Sequence, residues 1–214
     1  MARAAPAHAV WTGLFSLSFC EADAKAPLPA LPHAPLTADR QDVSHIVPLD
    51  SQPDAAIEQL LDAAFGPDRH GRTAYRIRDG MPWMPALSFA TVDADGALIG
   101  SLQSWPVALT GEDGAQIPLI MVGPVAVDPA HQFGGHGRAM MDAVVSAARA
   151  MGSETLMMIG DPEYYGRFWG FVADGTAGWD APGPFEPRRL LALSVDGRPV
   201  GGTGMLGPRI AVAA

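Results

Sequence analysis

The chain has one cysteine, Cys20, and few basic residues, and both shortages exclude classes of protein. A single cysteine cannot form an intramolecular disulfide or a cysteine-based zinc cluster, so we expect a reducing compartment, the cytoplasm. Lysine and arginine number 14 against 23 acidic residues, which gives a formal net charge of −9. Because nucleic acid is bound by clustered cations that replace its counterions, we expect no nucleic-acid partner.

A long apolar run and a metal-ligand motif are also missing. No stretch approaches the roughly 20 apolar residues that span a bilayer, so we expect no membrane partner. Residues 9–20 and the Ala-Asp-Ala that follows faintly resemble a secretion signal, but Arg3 is the only cation before them. The six histidines show no metal-ligand spacing, and His131 and His136 would not share a helix face, so we expect no bound metal.

What the chain does have is an apolar fraction of 48% over 214 residues, which is enough for one substantial core. Residues 1–43 are rich in alanine and proline without a helical or strand period, which predicts a flexible extension. We expect one domain over residues 44–196, followed by a C-terminal tail over 197–214.

In the first half of that domain, the sequence pattern predicts one short strand and two helices. Apolar spacing predicts a short strand at Ile46–Val47 and a helix over residues 54–65. A second short helix is predicted within residues 69–80, with four arginines that form either a solvated face or a substrate rim. We prefer the solvated face; the arginines are Arg69, Arg72, Arg76 and Arg78.

The second half alternates strands and helices. An Asp-Gly turn between residues 87–92 and 98–105 is typical of a hairpin. Strands are then predicted at 117–127, 156–159, 171–173 and 190–195, and helices at 137–151 and 162–168. This order predicts a mixed α/β fold with a mostly antiparallel central sheet flanked by helices. The strands on either side of the helix 137–151 should run parallel and open a cleft at their C-terminal ends.

The junction between the strand 117–127 and this helix is the most informative segment. Gln132, Gly135 and Gly137 form the pattern Q-x-x-G-x-G, in which glycines let backbone amides approach an anion such as phosphate. Met140 stands where a dinucleotide site needs its third glycine, and no Gly-Lys-Ser/Thr step follows. These departures argue against dinucleotide sites and the phosphate loop of nucleotide hydrolases.

A second motif lies downstream, Tyr164-Tyr165-Gly166-Arg167-Phe168 followed by Gly170-Phe171. Together with the strand VAVDP and the glycine loop, it resembles the GNAT superfamily of N-acetyltransferases. The resemblance covers residues 45–195, and its specific part covers 120–171. It implies a mostly antiparallel sheet with one parallel strand pair, acetyl-CoA as cosubstrate, and direct transfer of acetyl to a primary amine on a small-molecule or peptide acceptor.

By this resemblance, amides of the strand bind the pantetheine arm and polarise the thioester carbonyl, while the glycine loop wraps the pyrophosphate. The implied cofactor-binding residues are Val125, Ala126 and Val127 in the strand and Gln132, Phe133, Gly134, Gly135, His136, Gly137 and Arg138 in the loop. Phe133 and Gly134 depart from the small or basic residues that are common there, and His136 and Arg138 could compensate.

The resemblance also implies a tyrosine that protonates the departing CoA thiolate. Tyr165 matches when residues are counted forward from Asp161, whereas counting backward from Gly170 makes Trp169 an insertion and leaves Tyr164 as the alternative. No general base stands out, because Asp128 is typical of a turn and Asp161 of a helix N-cap.

The acceptor and the oligomeric state stay open, a homodimer included. Trp179 and Phe185, in the loop 174–187, are consistent with an apolar wall of the acceptor pocket or with packing at the C-terminal edge. The missing base and the displaced tyrosine register support one alternative function, a non-catalytic acyl-CoA-binding sensor or interaction module with the same fold.

Overall fold

A computed structural model describes residues 43–210 of the chain. The predicted extension, apart from its last residue, lies outside this range, as do Cys20 and the last residues of the predicted tail. The proposed domain boundaries therefore stay predictions.

Within that range the chain forms eight strands and four α-helices joined by loops and 3₁₀ turns. The strands are β1 His45–Pro48, β2 Phe89–Val92, β3 Leu98–Thr110, β4 Gln116–Val127, β5 Leu156–Ile159, β6 Trp179–Asp180, β7 Leu190–Leu193 and β8 Gly204–Pro208. The helices are α1 Asp54–Phe65, α2 Thr73–Ile77, α3 His136–Met151 and α4 Pro162–Trp169. The predicted strand at 171–173 is reduced to a single bridge between Val172 and Ala192.

The strands form one sheet in the order β1-β2-β3-β4-β5-β7, and β8 pairs with the second half of β3. Neighbours on the main path are antiparallel except β4 and β5, which run parallel as the connecting helix predicts. The predicted fold class, a mostly antiparallel sheet with this parallel pair and flanking helices, is confirmed. A further parallel contact of two residues joins β6 to β8, a strand that the sequence pattern did not predict.

Helices cover both faces of the sheet. On one face, α3 buries Met140, Met141, Val144, Val145 and Ala148 against β3, β4 and β5, as its apolar period predicts. On the other face, α1 packs Ile57, Leu60 and Leu61 against β2 and β4, and α2 packs Ile77 against β3 and β4. Gly152 ends α3 in the left-handed region, which favours glycine at this position.

A β-bulge interrupts the pairing of β3 with β4. Leu102 pairs with Val125 but Ser104 pairs with Val122, so Gly123 and Pro124 together oppose Gln103. The pairing of β4 with β5 is confined to Ile120 and Met121, before the bulge. Beyond that point the two parallel strands separate, and the cleft predicted at their C-terminal ends opens there.

The solvated face predicted for the arginines is wrong for two of them. Arg69 and Arg78 are only 2% and 5% exposed. Arg69 is buried because it binds Glu58 and Asp62 of α1 and donates to the hydroxyl of Tyr75. The guanidinium of Arg78 lies 4.1 Å from the ring centres of both Tyr75 and Trp105.

The other two arginines lie nearer the surface. Arg76 is exposed and donates to the carbonyl oxygen of Pro182, and Arg72 donates to that of Phe65. Arg76 therefore ties α2 to the loop at Pro182, and Arg72, directly before α2, ties it to the end of α1.

Candidate functional site

Two backbone amides of β4 face the cleft. Asp128 N–H donates to Ile99 O at 2.8 Å, which makes this a hydrogen-bonded pair of the β3–β4 ladder. Since such pairs alternate along an antiparallel ladder, the amides of Val127 and Val125 point away from β3, towards the side that β5 has left.

Ala126 lies between these valines but presents no polar group to the cleft. By the same alternation its amide and carbonyl face Ser101 of β3, and its buried side chain packs against α1. Of the three predicted strand residues, Val125 and Val127 therefore have amides at the cleft, and Ala126 separates them.

The glycine loop ends in the start of α3, close to these amides. Gly135 precedes the helix with φ of +73° and no side-chain cap, so the amides of His136, Gly137 and Arg138 have no partner among the described residues. A Cβ on Gly137 would lie 3.6 Å from Val127 and 3.9 Å from Val125. The helix start therefore packs directly on the strand that carries the cleft amides.

The histidine of the loop turns inward. The ring of His136 is buried, its Nδ1 lies 3.3 Å from the hydroxyl of Ser44, and its Nε2 has no partner in the described part of the chain. A Cβ on Gly134 would collide with this ring, which explains why glycine replaces the commoner residues here. His136 therefore contributes an amide at the surface of the loop, and its ring does not replace a missing cation.

The remaining loop side chains face solvent. Phe133 is 94% exposed, and Gln132 is exposed beside it. Arg138 is also exposed, with its guanidinium 4.2 Å from the ring centre of Phe168 in α4. Arg138 thus spans from the start of α3 to α4 and leaves a cation at the mouth of the cleft.

Tyr165 lies at the C-terminal end of β5. Its ring packs so closely on Gly160 that a Cβ there would lie 2.7 Å from the ring, and its hydroxyl has no hydrogen-bond partner among residues 43–210. Burial raises the pKa of this phenol to about 12, so it stays protonated at neutral pH. Tyr164 is 41% exposed and packs on Phe168 and Trp169.

Neither candidate for the general base is free. Asp128 accepts a hydrogen bond from Ala130 N–H, and Asp161 accepts one from Glu163 N–H as the N-cap of α4. Hydrogen bonding with Glu163 lowers the pKa of Asp161. Both carboxylates therefore act as caps, as their sequence context predicts.

A pocket of about 200 Å³ lies beside the bulge on the face covered by α1 and α2. Its lining is polar and aromatic, and comprises Glu58, Leu61, Arg69, Tyr75, Arg78, Asp79, Gly80, Met81, Gln103 and Trp105. Arg78 donates to the carbonyl oxygen of Gly123 at 3.0 Å, so the pocket wall is bonded to the bulge. The clustered arginines were its only sequence signal, because Gln103 and Trp105 carry no motif.

The predicted acceptor loop packs elsewhere. Trp179 is buried with Ile77 in the core beneath α2, and Phe185 packs at its edge. Thr73 donates to the carbonyl oxygen of Pro184, which ties this loop to α2. Both aromatic residues therefore pack at the C-terminal edge, where they also line a second pocket of about 270 Å³.

Residues 43–210 contain neither a metal-binding cluster nor a helix that could span a membrane. No group of three or more histidine, cysteine, aspartate or glutamate side chains is arranged to hold a metal ion in this range. None of its helices combines the length and the apolar character that a bilayer crossing requires.

In this site the parallel strands β4 and β5 separate, and outward amides of β4 lie beside a helix that begins after a glycine. This arrangement is that of the acetyltransferase class that the sequence motifs resemble. The acetyltransferase (GNAT) domain family matches residues 52–172. Because the match spans more than half of the chain, this protein belongs to the GNAT acetyltransferase family. The predicted resemblance is thereby confirmed.

Individual relatives agree with this assignment. The uncharacterised N-acetyltransferase YhbS of Escherichia coli K12 is 27% identical over 123 residues, which cover 57% of this chain and 68% of YhbS. The structure of E. coli YhbS in complex with CoA superposes with a TM-score of 0.57 at 21% identity, over 78% of this chain and 89% of that one. A GNAT family acetyltransferase from Brucella melitensis in complex with acetyl-CoA gives 0.52 at 25% identity, over 76% and 94%.

Proposed function

We propose that this protein transfers the acetyl group of acetyl-CoA directly to a primary amine of a small-molecule or peptide acceptor. The observation that carries the proposal is the pair of outward amides at Val125 and Val127 beside the unpaired amides at the start of α3, on which Gly137 packs against both valines. Similar structures support the choice of ligand, since E. coli YhbS was crystallised with CoA and the Brucella protein with acetyl-CoA. The reaction would take place in the cytoplasm.

Successive parts of the cleft would bind successive parts of acetyl-CoA. Amides of Gly137 and Arg138, with the guanidinium of Arg138, would hold the pyrophosphate at the positive end of the α3 dipole. The outward amides of Val125 and Val127 would bond the extended pantetheine arm as β4 would bond another strand. When bound, acetyl-CoA supplies the activated acetyl group as a thioester.

Tyr165 would then act as the general acid. Its phenol is protonated at neutral pH, has no competing hydrogen bond from the described part of the chain, and lies at the edge of the cleft where β5 ends. It would donate its proton to the sulfur of the departing CoA, while a strand amide near Val125 stabilises charge on the carbonyl oxygen. Tyr164, exposed on the outer side of α4, would support the packing of this helix.

A thiol-release assay with acetyl-CoA across a panel of primary amines tests the proposal. We expect thiol to appear only with acetyl-CoA and an accepted amine, in equal amounts with the acetylated product. Saturable CoA binding without thiol release for any amine would favour the non-catalytic acyl-CoA-binding module instead. Absence of CoA binding would contradict both functions.

A further inference from the structure

A side-chain hydrogen bond ties the last residue of α4 to α3. The indole N–H of Trp169 donates to Oδ1 of Asp142 at 2.7 Å, across 27 residues of sequence. Trp169 is only 8% exposed, whereas Asp142 is an exposed residue of α3. Because a hydrogen bond to a carboxylate is stronger than one between neutral groups, this contact fixes the indole against α3.

The same indole packs on the proposed general acid. Trp169 follows Tyr165 by four residues on α4, and their ring centres are 5.8 Å apart. The ring of Phe171, 6.3 Å away, and the backbone of Gly160 also contact this tyrosine. The hydroxyl of Tyr165 has no hydrogen-bond partner among residues 43–210. Within this range, packing contacts therefore set the direction of the phenol.

A second contact joins α3 and α4 closer to the glycine loop. Arg138 precedes Asp142 by four residues on α3, and its guanidinium lies 4.2 Å from the ring centre of Phe168. Arg138 is also assigned to the pyrophosphate of CoA, whereas Asp142 has no part in binding CoA. The bond from Trp169 to Asp142 can therefore hold α4 whether or not CoA is bound.

Trp169 is the insertion found when the tyrosine motif is counted backward from Gly170. It is the last residue of α4, and Gly170 then ends the helix with φ of +82°. The extra residue thus supplies the donor that fastens the end of α4, one turn after Tyr165.

We infer that Asp142 is a positioning residue for acetyl transfer, and that it acts through the indole of Trp169 on the direction of the Tyr165 phenol. The inference rests on the proposed function, in which Tyr165 protonates the departing sulfur of CoA. Without the bond, the indole moves and the phenol takes a wider range of directions. Since a proton donor must lie within hydrogen-bond reach of its acceptor, turnover falls while CoA binding is kept.

Two substitutions at Asp142 test this role. Asp142→Ala removes the acceptor of the bond, and we expect kcat to fall by about tenfold. Asp142→Asn keeps an acceptor oxygen, so its kcat should stay within about threefold of the wild type. Both remove the same negative charge near Arg138, so any electrostatic effect on the Kd for acetyl-CoA should be equal in the two variants. Steady-state kinetics with an accepted amine and calorimetric titration of acetyl-CoA measure the two constants.

The titration of Tyr165 is a readout that a purely structural role of Asp142 would not move. In the wild type, burial raises the pKa of this phenol to about 12. A less fixed indole exposes the phenol, so its pKa in folded Asp142→Ala should shift towards the ordinary value of about 10. Ultraviolet difference titration against the same variant carrying Tyr165→Phe isolates this phenol, and circular dichroism at each pH limits the comparison to folded protein.

Glu154→Ala is the matched control. Glu154 is also a carboxylate with a side-chain donor, Arg209 at 2.9 Å, but it precedes β5, whereas α4 follows that strand. Its loss should lower the free energy of unfolding and leave kcat and the pKa of Tyr165 unchanged. An unchanged kcat or an unchanged Tyr165 pKa in folded Asp142→Ala, or an equal loss of kcat in Asp142→Asn, would overturn the role of Asp142.

Trp169→Phe covers the case in which Asp142→Ala does not fold. It removes the donor instead of the acceptor and keeps an aromatic ring beside Tyr165. We expect the same tenfold loss of kcat, to about one order of magnitude, and the same direction of change in the Tyr165 pKa. A folded Trp169→Phe with wild-type values of both would overturn the inference.

The wild type separates this inference from the proposed function. No thiol release with any amine would contradict acetyl transfer, and the titration of Tyr165 would still decide whether Asp142 positions the phenol. Thiol release by the wild type, together with a Tyr165 titration that Asp142→Ala leaves unchanged, would overturn the role of Asp142 alone.

Discussion

Trp105 donates its indole N–H to the carbonyl oxygen of Gly123 at 2.9 Å. Gly123 is the first of the two bulge residues, and its carbonyl also accepts from Arg78. Both donors come from the face of the sheet opposite α3. The bulge that aims the amides of Val125 and Val127 at the cleft is therefore held in place from the pocket side.

Trp105→Phe removes this hydrogen bond and keeps an aromatic ring against Arg78. We expect the free energy of unfolding to fall by about 1 kcal/mol and the affinity for CoA to fall by about threefold to tenfold, because the bulge is less well fixed. Urea unfolding and calorimetric CoA titration measure the two effects. Trp179→Phe is the control, since the indole of Trp179 donates to Gly201 far from the bulge and its loss should spare CoA binding. Equal effects of the two variants on CoA affinity would contradict the role of Trp105.

Tyr165→Phe removes the proposed general acid without changing the ring that packs on Gly160. We expect kcat to fall by about 10²-fold, since this is typical of losing a positioned acid, while the Kd for acetyl-CoA stays nearly the same. Steady-state kinetics and calorimetry measure the two constants. Tyr164→Phe should change kcat by less than about twofold, because its exposed ring keeps the same packing. The reverse order of effects would transfer the role to Tyr164.

The titration of Tyr165 should differ from that of an ordinary tyrosine. The sequence has 3 tyrosines, so ultraviolet difference titration of the wild type against Tyr165→Phe isolates one phenol. Burial disfavours the charged phenolate and raises the pKa to about 12, so the difference signal should develop near pH 12. Because the pKa of Tyr165 is higher in the folded than in the unfolded protein, its stabilising contribution to the free energy of unfolding is fully present below the unfolded pKa of about 10. That contribution is lost as the pH rises through the folded pKa. A difference signal centred near pH 10 would show that the ring is not buried.

Gly137→Glu should abolish CoA binding while the protein stays folded. The nearest contacts of a Cβ at this position are ordinary ones, at 3.6 and 3.9 Å, so the side chain can be accommodated. The added carboxylate would stand at the helix amides that we assign to the phosphates, where like charges repel. Gly137→Ala is the matched control and should lose less than about threefold in CoA affinity. CoA binding retained by Gly137→Glu in a calorimetric titration would refute the phosphate assignment.

Local patterns predicted those parts of the protein that depend on neighbours in sequence. The apolar period of α3, the left-handed Gly152 after it, and the parallel pairing of β4 with β5 all follow from short-range rules. Strand β8 was not predicted because two of the five residues in Gly204–Pro208 are glycines and the last is proline, and these residue types are uncommon in strands. The strand is defined by its pairing with β3 and β6.

The pocket beside the bulge was not predicted for a related reason. Arg69 and Arg78 were predicted to be solvated because charged residues usually are, and the sequence does not show that Asp62 and Trp105 meet them in the fold. Gln103 belongs to no motif, and its position opposite Gly123 and Pro124 depends on a register shift between two strands. Such features arise from tertiary pairing, which a single sequence does not display.

The contact between Ser44 and His136 bears on how fragments of this protein should be cut. Ser44 precedes β1 by a single residue, yet its hydroxyl reaches the imidazole that supports the glycine loop. A truncation placed at the first residue of the sheet would keep every strand and helix of residues 43–210 while removing this support. Fragments meant for ligand studies should therefore begin upstream of residue 44.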